Sequence, residues 1–592
     1  MILQALNQYY QRLLNDDQSG VSRPGYSKAK VSFALVLSPA GQLLQVIDLR
    51  EQRKGKAVPR AMDVPEREKG RTSTKVLANF LCDNPGYVLG IHNDDSPERR
   101  RAKFHSFREK HRLIACESSD PGLLAVGRFL DGWDPDKACN HAALKNVFDD
   151  VRDGGDLVFR LDADLCNVHD RHAARDLWEK HKGGTTSEVM GQCLVTGNLA
   201  PIARLHTGIK GVFGAKTSGA PLVSFNIESS TSYGKKKSFN APVGEPAAFA
   251  YTTALNHLLS NERQRLRIGD ATTVFWAERK SPAENLAAAF FDPPSDDDGE
   301  SKADEQPRYD PATTRLIRDI LQRARDGCPA GEALGGLAPD VRFFILGLSP
   351  NQARLSVRFW FVDTLGRMAE RVGRHYADLA IERQFPNDPE FIPLWRILKE
   401  LAVLGKSENI PHSIESALIR AVLLGTDYPQ SLLSTLLCRI RADHEVNYVR
   451  AAALKACLLR VARHQNRTLS EAAMTLNEES IHPGYRLGRL FAALEKVQQD
   501  AIGRDTNATI RDRYFSSASA TPATVFPVLL RLAQHHVAKA EHGRFIDQAI
   551  EHILAGLEKF PQRLNLEDQG LFMLGYYHQR NAFYQKHNKD KE

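Results

Sequence analysis

No stretch of this sequence holds eighteen or more consecutive apolar residues, and its start lacks a basic segment followed by an apolar one. Membrane-spanning and secreted readings are therefore set aside. Cysteine is sparse: eight residues in 592, none in a CxxC pair, which argues against a zinc knuckle and for reduced thiols in a cytoplasmic setting. Neither sign of charge dominates. A formal net charge of +7, with 26% charged residues, permits nucleic-acid binding without demanding it, so local charge must decide. Catalytic words are missing too: there is no GxSxG elbow and no recognisable nucleophile motif. The densest acidic run, instead of clustering for two-metal chemistry, lies in the Pro- and Ser-rich stretch DPPSDDDGESKADEQPRYD at 292–310. No cofactor and no metal is expected.

What is present is a band of Gly, Lys and small polar residues between short apolar runs, from Cys193 to Ala277. Between Pro201 and Asn240 stand six cations (Arg204, Lys210, Lys216, Lys235, Lys236, Lys237) against one acid, Glu228. Glycines there let the backbone approach a partner closely, and the lysines supply charge for phosphates. Lys210, Lys216, Lys235, Lys236 and Lys237 are the expected phosphate contacts, with Thr217 and Ser218 as hydroxyl donors. A P-loop does not fit GIKGVFGAKTSG, because Ala215 separates Gly214 from Lys216 and the glycine spacing is one residue too long.

Two more basic stretches precede it. From Arg50 to Lys75 nine Lys/Arg face four acids, ending in Arg71, Thr72, Ser73, Thr74 and Lys75 before an apolar run, VLANFL, read as a helix. Hydroxyl residues there would cap that helix and leave free amides for an anion. Thr72, Ser73, Thr74 and Asn240 are candidates for base or groove contacts, Arg71 and Lys75 for further nucleic-acid contacts. Residues 99–112, RRRAKFHSFREKHR, carry seven cations and one acid interleaved with Phe104 and Phe107. This segment reads equally as a solvated helix face or a backbone-binding one. His169, His172 and His181 near Asp162, Asp164 and Asp170 match no metallohydrolase spacing, and His206 lacks a positioned partner for catalysis.

The pattern predicts an α+β chain. An amphipathic helix opens it, 31–37 and 42–49 form a hairpin, and 157–162 and 273–277 are strands. After the acidic segment, 343–348 and 354–361 are short strands, and helical periodicity prevails from Met368 onward. Four regions follow: 1–291, an alpha/beta domain; 292–310, an acidic linker or exposed loop; 311–480, mixed and then helical; and 481–592, a helical bundle. No fixed-period repeat supports a solenoid.

The order of words in the central band, VTG, IARLH, IKGV, TSGAPLVSFN, YGK, FNAPV, AFAYTTALN and TVFWA, resembles the large subunit of the type I-C CRISPR Cascade complex. MILQALNQYY, RTSTKVLANFLCDNPGYVLG, FFILGLSPNQARLSVRFW, YRLGRLFAALEK and RDRYFSSASATPATVFP extend the resemblance over almost the whole chain. It implies a non-catalytic, RNA-guided surveillance component that recognises the protospacer-adjacent motif in double-stranded target DNA, with 1–291 as the duplex and adjacent-motif binding domain, and supports R-loop formation. It also implies a docking surface for a helicase-nuclease. The partners implied are guide RNA, backbone subunits, a guide-end-binding subunit and small helical subunits, one of which an internal start near the C-terminal bundle would supply. The nearest upstream methionine to Leu487 is Met474, so that start would not be an AUG. Two other classes remain open from the residues alone: a guide-RNA-processing nuclease or phosphate-binding enzyme using His206 or His169, and a purely structural scaffold.

Overall fold

The chain is seen in a computed structural model, which describes every residue except 17–18, 54, 69–74, 94, 116, 184–188, 295–307, 504–508, 541–542 and 590–592. Its fold is α+β, with mixed sheet and helix in the first part and a mainly helical remainder. Contacts divide it into two compact units, one made of Met1–Gly208 and Val223–His257, the other of Ile209–Leu222 and Leu258–Glu592. The chain therefore passes between units three times. The composition break at 292 lies inside the second unit, and most of the acidic segment lies outside the described residues.

The first unit is organised on the strand Tyr26–Leu37, whose β-branched and aromatic residues suit a pleated core. It pairs antiparallel with Leu43–Asp48 and Arg60–Pro65 and parallel with Asp156–Leu161, which also pairs with Cys82–Asp83. The expected hairpin is present, with Phe33 opposite Asp48 and Val36 opposite Gln45. Phe33, Leu35, Phe80, Phe107, Phe129, Phe159 and Trp178 fill the core beside that sheet.

One expectation fails here. VLANFL at 76–81 is irregular chain leading into the strand Cys82–Asp83, and Leu81 has φ of 54°. Periodicity cannot separate so short an apolar run from a buried strand, and tertiary bonds decide it. The Leu81 amide donates to His111 Nε2 at 2.9 Å and the Asn79 amide to Asp83 Oδ2 at 2.9 Å, partners that a helical turn would have replaced.

In the second unit the strands Arg265–Ile268, Ala271–Ala277, Arg342–Asn351 and Arg354–Thr364 form an antiparallel meander in that order. Trp276, Phe344 and Trp360 stack across three neighbouring strands, with ring centroids 5.3–5.7 Å apart. Phe275, Ile345 and Phe359 face a core shared with the helices that follow. At its C-terminal end the helix Pro483–Ile502 lies along Leu566–Lys589. Gly488 makes that approach possible, since a Cβ there would sit 1.9 Å from the Phe572 carbonyl oxygen. The two backbones touch where any larger residue would hold them apart. Among the described residues no helix is long and apolar enough to cross a membrane.

Candidate nucleic-acid interface

Each unit carries one of the cationic loops. In the first, the segment after Ile227 passes through a short 3-10 turn, Glu228–Ser230, and then reverses tightly, with Ser232 bridged to Lys235. The two central residues, Tyr233 and Gly234, have φ of 50° and 70°. Positive φ at both positions marks a type I′ turn, in which Gly is at ease and a bulky residue such as Tyr is strained. Lys237 is left-handed as well, at 52°.

Asn240 holds this shape. Its Oδ1 accepts from the Ser232 amide at 2.8 Å, and its Nδ2 donates to the carbonyls of Lys235 and Lys237 at 2.9 and 2.8 Å. The loop's base is fixed by the Leu194 and Ala203 amides, which donate to the Pro242 and Val243 carbonyls, and by the buried Ser238. Lys235 and Lys236 are exposed and Lys237 half-buried. Tyr233 projects at the tip, 97% exposed.

The second loop, Ile209–Leu222, is closed by paired backbone bonds of 2.9 Å between Ile209 and Ala220. Ile209, Val212 and Ala220 are buried beneath it. The Phe213 amide donates to Thr272 Oγ1 at 2.9 Å, and the Leu355 amide to the Pro221 carbonyl at 3.1 Å, which moors the loop to the meander. Apolar residues form its foot, and Lys210, Lys216, Thr217 and Ser218 its exposed rim.

Charge compensation separates these loops from the other basic stretches. On the helix Pro97–Ala115 the cluster's arginines and lysines largely face acids: Arg99 and Lys103 meet Asp95, Arg101 meets Asp136, Lys110 meets Glu68, and Arg108 meets Glu109. Its Phe104 and Phe107 are buried in the core. Arg50, Arg60 and Arg67 are likewise paired, with Asp48 and Asp150, with Glu51 and with Asp156. Among the described residues no carboxylate pairs with Lys216, Lys235, Lys236 or Lys237. Paired surface cations present a weak field, whereas unpaired ones keep theirs for a ligand.

Arg71, Thr72, Ser73 and Thr74 lie outside the described residues, and Lys75 beside them is exposed. His206 Nδ1 shares a 2.6 Å hydrogen bond with the Tyr251 hydroxyl, and burial lowers its pKa to about 4. The imidazole and phenol rings also pack together, their centroids 5.6 Å apart. His172 pairs with Asp176 and His181 with Glu117, and no cluster of three metal-ligating side chains occurs among the described residues. Two aromatics that the sequence did not single out, Tyr233 and Phe213, stand exposed on these loops. The word YG inside a lysine-rich segment signals the first turn, and nothing local signals the exposure of Phe213.

A family model described as CRISPR-associated protein (Cas_Csd1) matches residues 6–584. No curated protein matches the chain.

Proposed function

The chain belongs to the Cas_Csd1 family of CRISPR-associated proteins, large subunits of type I-C Cascade that work beside other Cas subunits, and from that membership we propose that it binds target DNA without cutting it. In this reading it recognises the protospacer-adjacent motif, supports R-loop formation over the guide RNA and docks a helicase-nuclease, all in the cytoplasm. Guided recognition divides the labour: base pairing reads the long sequence, and protein reads a short duplex element while gripping backbone of any sequence. The regions at 1–291 and 481–592 take the duplex and the opened strands respectively, the latter in the manner of a small helical subunit.

The observation that carries the proposal is the set of lysines without acidic partners among the described residues, Lys216 and Lys235 to Lys237, on loops whose backbones are fixed from within. A preformed cationic loop loses little entropy on meeting phosphates. The strained Tyr233 at the tip of one loop supports it further, since strain that a structure maintains gathers at functional sites. Of the two histidines that the enzyme alternative would use, His206 is bonded to the Tyr251 hydroxyl and His169 is buried, and burial lowers the pKa of both, which favours the binding reading.

The test is a titration of the assembled complex against motif-bearing and motif-scrambled duplexes at several salt concentrations. Reversing Lys235, Lys236 and Lys237 to Glu should weaken both duplexes alike and lower the log-log salt slope by roughly 0.9 for each phosphate no longer neutralised. Unchanged binding of both duplexes would turn this loop toward guide RNA or a partner subunit and sink its assignment to DNA.

A further inference from the structure

Phe213 and Arg267 form a stacked pair at the surface of the second unit that the proposed duplex contact does not use. Phe213 is 53% exposed, although its backbone is moored to Thr272. The Arg267 guanidinium, from the strand Arg265–Ile268, lies 3.3 Å from the ring centroid. Its Nε donates to the Gly269 carbonyl at 3.0 Å, which fixes the orientation of the planar head. An aromatic residue half open to water and layered with a flat cation gains little from apolar burial, so its packing alone does not account for it.

What the pair offers is a flat, cationic, weakly hydrated surface the size of a heterocycle. Unpaired nucleobases stack on aromatic rings and on arginine planes alike, and do so without regard to sequence. A base inside a duplex has both faces covered by its neighbours, so only an unpaired base can use such a surface. On the same loop stand the exposed Lys216, Thr217 and Ser218, a cation and two hydroxyls suited to the phosphate that accompanies a stacked base.

We infer that Phe213 and Arg267 are a stacking platform for one unpaired nucleobase, with Lys216, Thr217 and Ser218 holding the adjoining phosphate. The inference rests on the proposed nucleic-acid function and narrows it: this loop grips single strand, while the Lys235 to Lys237 turn grips duplex backbone. Arg267 then acts through its plane as well as its charge.

The experiment titrates the full-length chain with single strands carrying 2-aminopurine, as DNA and as RNA, and with matching strands containing abasic sites; a plain duplex serves as reference. Binding should quench the 2-aminopurine fluorescence, in whichever of the two chemistries the platform serves. Removing the base should weaken binding about 5- to 150-fold, the range expected when one base no longer stacks on an aromatic ring. Phe213→Leu should weaken base-bearing strands comparably, and Arg267→Lys, which keeps the charge and loses the plane, should abolish most of the quenching. Both variants should leave duplex affinity and the unfolding temperature unchanged. Equal affinity of the parent chain for base-bearing and abasic strands overturns the platform whatever the variants do, as does an Arg267→Lys chain that quenches like the parent, and either result leaves duplex binding standing. Failure of the parent chain to bind single strand and duplex alike would remove the nucleic-acid function itself, and the platform with it.

Discussion

Asn240, on sequence a candidate for reading a base edge, instead uses its amide to hold three backbone positions of its own loop. With Oδ1 and both Nδ2 hydrogens engaged, it acts as a clasp on the lysine turn. Asn240→Ala should therefore lower affinity for motif-bearing and scrambled duplexes together, by loosening the loop. A decrease confined to the motif-bearing duplex would restore the reading role. Tyr233 allows a sharper contrast. Asn in place of Tyr suits the left-handed position that this turn imposes, so Tyr233→Asn should raise stability by up to about 1 kcal/mol. The same change should weaken nucleic-acid binding, and thermal melting beside a binding titration measures the two opposite signs. The lysines themselves are legible in the sequence because charge needs no fold to be counted. The Arg267 layer on Phe213 is not, since it depends on a loop docking onto a strand far along the chain.

Among the elements, the basic helix Pro97–Ala115 and the lysine turn look alike in composition and differ in what surrounds them. Asp95, Asp136 and Glu68 come from outside the helix, so no reading of its own residues could reveal the neutralisation. The strands at 26–37, 271–277 and 342–364 are readable from alternation and β-branching. VLANFL is not, because its bonding partner is a histidine thirty residues on. For the helix pair at the C-terminal end, the repeated glycines in GYRLG and LGYY mark close approach. A Cβ at Gly575 would lie 2.1 Å from the Tyr485 carbonyl oxygen, the counterpart of Gly488 against Phe572. Gly488→Ala should cost about 1–3 kcal/mol or more, seen as a lower denaturation midpoint, because backbone must move to admit the methyl group. An unchanged midpoint would mean that the helices part at no cost.

The molecule as a whole should weaken in mild acid, and two buried histidines set the direction. His111 accepts the Leu81 amide at Nε2 and donates from Nδ1 to the Phe107 carbonyl, so it fits only as the neutral ring. Burial lowers its pKa to about 3. His578, wholly buried against the Tyr485 hydroxyl, is lowered to about 4 by burial and by nearby Lys455. In the unfolded chain both take up protons near pH 6.5, so below that value the unfolded state binds more protons than the folded one. Their stabilisation is complete above pH 6.5 and is lost as the pH falls toward the folded values. Each should steepen the decline by roughly 1.4 kcal/mol per pH unit. Denaturant unfolding at pH 7.5, 6.5 and 5 measures this, and a flat profile between 6.5 and 5 would contradict it. The architecture has a consequence for descent as well. Because the chain enters each unit twice, with Ile209–Leu222 folding among residues that follow His257, no single crossover between related genes can exchange one unit without a fragment of the other. The lysine rim on that short segment and the meander that moors it must be inherited together, across thirty-five residues that belong elsewhere in the fold. Variation in this protein should therefore accumulate by substitution within the interleaved pieces, with swapped halves selected against as misassembled hybrids.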